Sequence, residues 1–199
     1  AMLLTLGYNS NEIFDLLSNT SFEAFNDGEY YFPGGLYRLK NQFGWYKGDE
    51  VNAWLGEAIE SKTNNADITF QELHESGYPD LYCVATCLNK QKMVVLSHES
   101  YPNMKVRDAV HISCAIPFYY RAIFVDGDGH VFNEPASGRD VMLDGGLLAN
   151  FPISIFDDID EQGNRIINPH VVGIRIDEDD QIEANRRGGE LVERKVDSF

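Results

Sequence analysis

Val141-Met142-Leu143-Asp144-Gly145-Gly146 is the stretch on which the fold turns. Three apolar residues read as strand, and that strand delivers a carboxylate to its C-terminal end. Two glycines then turn the chain away, because glycine accepts positive φ or lets another backbone approach closely. In α/β sheets the C-terminal strand ends are where ligands bind. A carboxylate placed there is partly withdrawn from water, which suits general-base chemistry. The same six residues also fit an ordinary Asp-Gly turn, so the surroundings must decide.

Working outward from Asp144, residues 121–125 and 130–133 flank Asp126-Gly127-Asp128-Gly129, a hairpin turn by composition. Residues 105–115 have helical character and stop at Pro117. Residues 81–88 and 92–97 are rich in Val, Leu, Tyr and Cys, and Asn89-Lys90-Gln91 turns the chain between them, predicting a strand pair. Val51, Trp54, Leu55, Ala58 and Ile59 recur at helical spacing, so 50–61 is a helix, with Asp49 as its cap. A shorter helix over 69–75 opens on Thr69 with Glu72 three residues on. Residues 2–6 end a helix at Gly7, and Asn9 with Glu12 opens another whose apolar face is Ile13, Phe14, Leu16 and Leu17. Residues 18–47 read as a long irregular excursion broken by Pro33-Gly34-Gly35. Beyond Asp144, Pro152 stands near the start of a short helix at 152–158. Residues 170–176 alternate as a buried strand would. Helices alternating with apolar strands predict an α/β layered fold in a single domain, 1–199, with 177–199 as a charged tail.

Composition narrows the function classes. The net charge is −16, from 16 basic and 32 acidic residues. Such a chain is a poor nucleic-acid binder, because that affinity rests on phosphate neutralisation by Lys and Arg. No apolar run approaches the roughly 20 residues of a spanning helix. Three cysteines, Cys83, Cys87 and Cys114, make no disulfide framework. Cys83 and Cys87 share one face of a strand and read as buried thiols, which fits a reducing, cytoplasmic location. Ala1-Met2-Leu3-Leu4 lacks the basic region and cleavage site of a signal peptide. It reads either as an added residue before a start methionine or as the interior of a longer chain.

Several landmarks in order resemble the patatin-like phospholipase family, over about Met2 to Ile176. Met2 to Leu17 is similar to the helix and Gly-Tyr turn that follow the family's nucleophile. Gly34-Gly35-Leu36-Tyr37 and Lys47-Gly48-Asp49 resemble the next segment. Ile68-Thr69-Phe70-Gln71-Glu72-Leu73, Val84-Ala85-Thr86-Cys87-Leu88, the helix ending Ser113-Cys114-Ala115-Ile116-Pro117, and Asp144-Gly145-Gly146-Leu147 with Asn150 and Pro152 follow in family order. The resemblance implies a three-layer α/β/α fold with a mainly parallel central sheet. It implies a serine acyl hydrolase acting on lipid esters through a Ser-Asp dyad without histidine. Asp144 would be the general base, with Gly145 and Gly146 shaping its turn. No cofactor and no metal is implied. The partner would be a lipid ester substrate, with transient contact at a membrane surface.

The sequence departs from the family in one block. No G-x-S-x-G occurs in residues 1–199, and no glycine-rich oxyanion loop precedes Met2. Both belong just before the segment resembling Met2–Leu17, as do the first core strands, so the pattern is that of a contiguous N-terminal omission. On this reading the nucleophile lies upstream and the chain alone is inactive. The alternative is a non-catalytic remnant that binds lipid or protein, covering its open edge as a homo-oligomer.

Other residues invite chemistry less strongly. Ser113 lies in the helix-ending motif and reads as structural. Ser97 and Ser100 flank His98, but adjacent residues rarely present both groups to one substrate. His111 reads as a surface or packing residue, and His74, His130 and His170 look isolated, giving no metal cluster. Asp126-Gly-Asp128-Gly lacks the spacing and terminal Glu of a calcium loop. Asp177-Glu178-Asp179-Asp180 reads as the solvated end of a strand. The aromatics Phe22, Phe25, Tyr30, Tyr31, Phe32, Tyr37, Phe43, Trp45 and Tyr46 fit a lipid cleft and a cap on the core equally well.

Overall fold

The computed structural model describes residues 1–28, 31–177 and 179–188. Its contacts sort into two compact units, Ala1–Asn150 and Phe151–Phe199. In chain order the first unit contains α1 (Met2–Thr5), α2 (Ser10–Ser18), a 3-10 turn at Phe22–Phe25, α3 (Tyr31–Gln42), β1 (Gly44–Tyr46), α4 (Asp49–Thr63) and α5 (Phe70–Glu75). It continues with β2 (Cys83–Cys87), β3 (Lys92–Leu96), α6 (Val106–Ser113), β4 (Phe118–Tyr120), β5 (Ile123–Val125), β6 (Val131–Phe132), β7 (Asp140–Asp144) and α7 (Gly146–Ala149).

The α/β class holds. The main sheet has the order β3-β2-β7-β5-β6, and β1 pairs with β4 in a separate two-stranded sheet. Every pairing in the five-stranded sheet is antiparallel, and among the described residues only β1–β4 is parallel. This corrects the mainly parallel sheet expected from the family resemblance. The connections explain the β2–β3 and β5–β6 pairings. Leu88–Gln91 and the Asp126–His130 turn are hairpin-length links, far shorter than the dozen or so residues a parallel crossover requires.

Register follows from burial. In the β2–β7 pairing Ala85 faces Asp144, Thr86 faces Leu143 and Cys87 faces Met142. Residues directly opposite share a face. A slip by one residue would move Met142 and Asp144 to the other face together. The Asn89 side chain holds the far end of β7, accepting from Val141 N at 2.9 Å, while Lys90 pairs with Asp140 at 2.7 Å. α6 packs on β2 and β7, and α4 packs on α6. Ile59, Leu96, Met104, Val106, Ala109, Ile112 and Met142 are fully buried between them. Cys83 and Cys87 are buried free thiols, as their spacing predicts, and burial pushes Cys83 up to about 12.

Two capping boxes form where the sequence placed them, Asn9 with Glu12 and Thr69 with Glu72. The cap of α4 is different. Its N-cap is Gly48 with φ of 78°, and Asp49 is the first helical residue. The free amides of that end are met from a distance: Asp27 accepts from Gly48 N at 2.7 Å and from Glu50 N at 3.1 Å. Asp49 is thereby released to pair with Arg121 at 2.5 Å.

The excursion expected over 18–47 is largely regular, containing the 3-10 turn, α3 and β1. Pro33 falls in the first turn of α3, where no amide partner is lost, so it does not break the helix. Gly35 serves contact: a Cβ there would sit 2.6 Å from the Trp45 ring.

In the second unit a 3-10 turn (Ile153–Phe156) starts after Pro152, β8 (Asp158–Ile159) pairs with β9 (Arg165–Ile166), and α8 spans Asp179–Arg186. The buried strand expected at 170–176 is absent: among the described residues nothing pairs with it, and Val172, Ile174 and Ile176 are 87%, 87% and 97% exposed. Alternation alone does not make a strand without a neighbour to accept its backbone hydrogen bonds. Asp179 and Asp180 open α8 rather than ending a strand. Within the expected tail, Glu178 and residues 189–199 lie outside the described residues, as does Tyr30 of the aromatic group.

Candidate active site

Asp144 is the last residue of β7, half-buried at the strand end predicted for it. Its amide donates to Ala115 O at 3.0 Å, which ties the strand to the chain leaving α6. Its Oδ1 accepts from Gly146 N at 2.8 Å. That bond fixes one carboxylate oxygen and, among the described residues, no hydrogen bond engages the other. A carboxylate held by one oxygen is oriented, and its second oxygen is available to take a proton.

The glycines act through closeness of approach. Gly145 has φ of −60° and ψ of −27°, so the left-handed option is not used. A Cβ on Gly145 would lie 2.4 Å from Val84 O, a backbone atom of the neighbouring strand. A Cβ on Gly146 would meet Asn150 Oδ1 and Asp144 Oδ1, both at 3.3 Å. The D-G-G pattern is therefore set by the tight passage of the chain past β2 into α7.

Apolar side chains stand on either side of this turn in sequence. Ile116 and Phe118, just past the carbonyl that holds Asp144 N, are 51% and 72% exposed, and Leu147 and Leu148 of α7 are 52% and 54% exposed. Cys114 lies close enough to feel Asp144: desolvation first and that carboxylate second push its thiol up to about 11. The thiol donates to Val110 O at 3.1 Å, so it is a neutral neighbour of the carboxylate and a poor nucleophile.

Other sequence-predicted residues fall elsewhere. Ser113 ends α6 as the motif implied. Ser97 and Ser100 build a turn: Ser100 donates to Val95 O at 2.7 Å and accepts from Ser97 N at 3.2 Å. His98 faces Asp80 instead of either serine. The Asp126 carboxylate is spent on its own hairpin, accepting from Asp128 N at 3.0 Å and His130 N at 2.9 Å. Some of the aromatics pack and others stay exposed. Phe25 packs on Trp54 and Tyr46 on Tyr119, while Phe22, Phe32 and Tyr37 stay exposed. Phe25, Trp54 and Tyr8 line a cleft of about 730 Å³ rimmed by Glu12, Asp15 and Glu57. Phe32, Trp45 and Tyr46 line another of about 410 Å³.

Two groupings were not visible in the sequence. His111 is 4% exposed, so of its two readings, surface or packing, the packing one holds. Its Nδ1 lies 3.3 Å from Asn52 Nδ2, and Asn52 also donates to Asp108 at 2.8 Å. Burial, then the Arg121 charge, lower His111 to about 4, so it is neutral. The second is His74, Asp80 and His98, whose ligand atoms lie within 4.8 Å of one another although they come from three segments. The apparent isolation of His74 was an effect of sequence distance, and His130 is not isolated either, its Nδ1 lying 3.2 Å from Asp126 Oδ2 in a group with Asp128.

A family model described as patatin-like phospholipase matches residues 1–157. The chain is 27% identical over 158 residues to an uncharacterized protein of Acanthamoeba polyphaga mimivirus, covering 79% of this chain and 47% of that one. It is 29% identical over 166 residues to an uncharacterized protein of Bacillus subtilis, covering 78% and 52%. A protein of Invertebrate iridescent virus 6 described as a probable lipid hydrolase is 28% identical over 159 residues, covering 77% and 48%. The chain thus spans about half the length of these curated relatives.

Proposed function

Since the chain belongs to the patatin-like phospholipase family, we propose that it forms the Asp-bearing part of a lipid acyl hydrolase, with Asp144 as general base. The nucleophilic serine would come from chain outside these 199 residues. The observation that carries this reading is the Asp144 carboxylate, oriented by Gly146 N at the end of β7 with its second oxygen unengaged.

The chemistry then runs in two balanced halves. Asp144 takes the serine proton as the hydroxyl oxygen attacks the ester carbonyl, giving a tetrahedral oxyanion. The intermediate collapses to an acyl-serine, and the leaving alcohol recovers the proton from Asp144. Water repeats the sequence in the second half, releasing the fatty acid. Exposed Ile116, Phe118, Leu147 and Leu148 supply apolar surface suited to an acyl chain. Among the described residues no helix is long and apolar enough to cross a membrane.

The test uses the longer natural protein, with a short-chain p-nitrophenyl ester as substrate. Asp144→Asn is expected to lower kcat by about 10²–10⁴-fold, the usual range for loss of a general base. Full activity in that variant ends the proposal.

The same exposed side chains favour a second, non-catalytic reading, in which this chain binds lipid or a second copy of itself. Sedimentation as a monomer that fails to bind a hydrophobic dye would remove it.

A further inference from the structure

The geometry points to a binding site for a divalent first-row transition ion formed by His74, Asp80 and His98. His74 lies in the last turn of α5, Asp80 in the connection from α5 to β2, and His98 just past β3. The His74 Nδ1 and His98 Nδ1 atoms converge on one carboxylate oxygen, Asp80 Oδ1, at 2.7 Å and 3.4 Å. Around a tetrahedral ion with ligands at about 2.0–2.1 Å, neighbouring ligand atoms stand roughly 3.4 Å apart. The Asp80–His98 separation already has that value. The Asp80–His74 separation is that of a hydrogen bond and must open by about 0.7 Å for both atoms to face one ion.

His98 Nδ1 is buried and has no hydrogen-bond partner. A buried polar atom without a hydrogen bond costs stability. An ion at this point would satisfy it.

The ring stacking defines the movement required. The two imidazoles lie parallel, 4.1 Å apart with 7° between their planes. Two parallel in-plane lone pairs cannot aim at one ion, so one ring must tilt. His74 is the ring that can: its side chain is 46% exposed, against 18% for His98. Two imidazole nitrogens and one carboxylate oxygen select zinc-like ions over calcium or magnesium, which prefer all-oxygen shells. Water completes the coordination. The ion would clip the α5–β2 connection to the turn after β3, and no ligand belongs to the Asp144 turn.

Titration of Zn²⁺ into the chain by calorimetry tests the site. The expected result is one saturable ion per chain. His98→Ala and His74→Gln should each weaken binding at least about tenfold, as loss of a ligand does, while His130→Ala and Cys114→Ser leave it unchanged. Far-UV circular dichroism checks that each variant folds; His74→Gln, at the exposed ligand, keeps the test open if His98→Ala does not. Unchanged affinity in a folded histidine variant would overturn the assignment. So would the absence of saturable uptake at millimolar Zn²⁺, or equal binding of Ca²⁺.

Discussion

His111 makes stability depend on pH within a defined window. It is buried on α6 beside Asn52, with Arg121, Asp108, Asp27 and Tyr120 around it, and it is held at about 4 against an ordinary value of 6.5. The lowered value means the unfolded chain binds a proton more readily than the folded one. Stability from this group is therefore complete above pH 6.5 and is lost as pH falls toward 4. A shift of this size, at about 1.4 kcal/mol per unit, amounts to about 3 kcal/mol in the limit. Between pH 7 and pH 5 the expected loss is about 2 kcal/mol. Buried Asp108 works in the opposite direction, since its raised value favours the folded state on acidification. The carboxylates lowered by their partners, such as Asp67 with Lys105, lose their contribution only at lower pH still. Urea unfolding of the wild-type chain and His111→Gln at both pH values isolates the effect, because the difference between the two proteins cancels the other groups. The variant should lose about 2 kcal/mol less than wild type over that interval. An equal loss in both proteins would refute the reasoning.

The two glycines after Asp144 should separate cleanly. Gly145→Ala forces a Cβ to 2.4 Å from a β2 carbonyl, and a thermal melt should show a loss of about 3 kcal/mol, the upper part of the overpacking range. Gly146→Ala meets only side-chain oxygens at 3.3 Å; it should cost less than about 1 kcal/mol, and equal melting losses at the two positions would sink the contact argument. Thr69→Ala removes the acceptor for Glu72 N at 3.2 Å, and denaturant unfolding should register a loss of about 1 kcal/mol, with no change speaking against the cap.

The sequence by itself determined the local elements whose signals are local. Asn9 with Glu12 and Thr69 with Glu72 cap their helices because both partners lie within one turn. The apolar period of 50–61 and the hairpin turns at Asn89-Lys90-Gln91 and Asp126–Gly129 were legible for the same reason. Asp144 and its glycines could be placed at a strand end from six residues and their ordered neighbours. Tertiary structure decided whatever depends on partners distant in sequence. Strand direction in the main sheet is set by where β7 inserts, between β2 and β5, and no single strand encodes that. Gly145 is fixed by the carbonyl of Val84, 61 positions earlier by residue number. The α4 cap is supplied by Asp27, and His74, Asp80 and His98 meet only because α5 and β3 end at the same corner. Alternation at 170–176 shows the converse: it records a capacity to pair, and hydrogen bonding to a neighbour decides whether a strand forms.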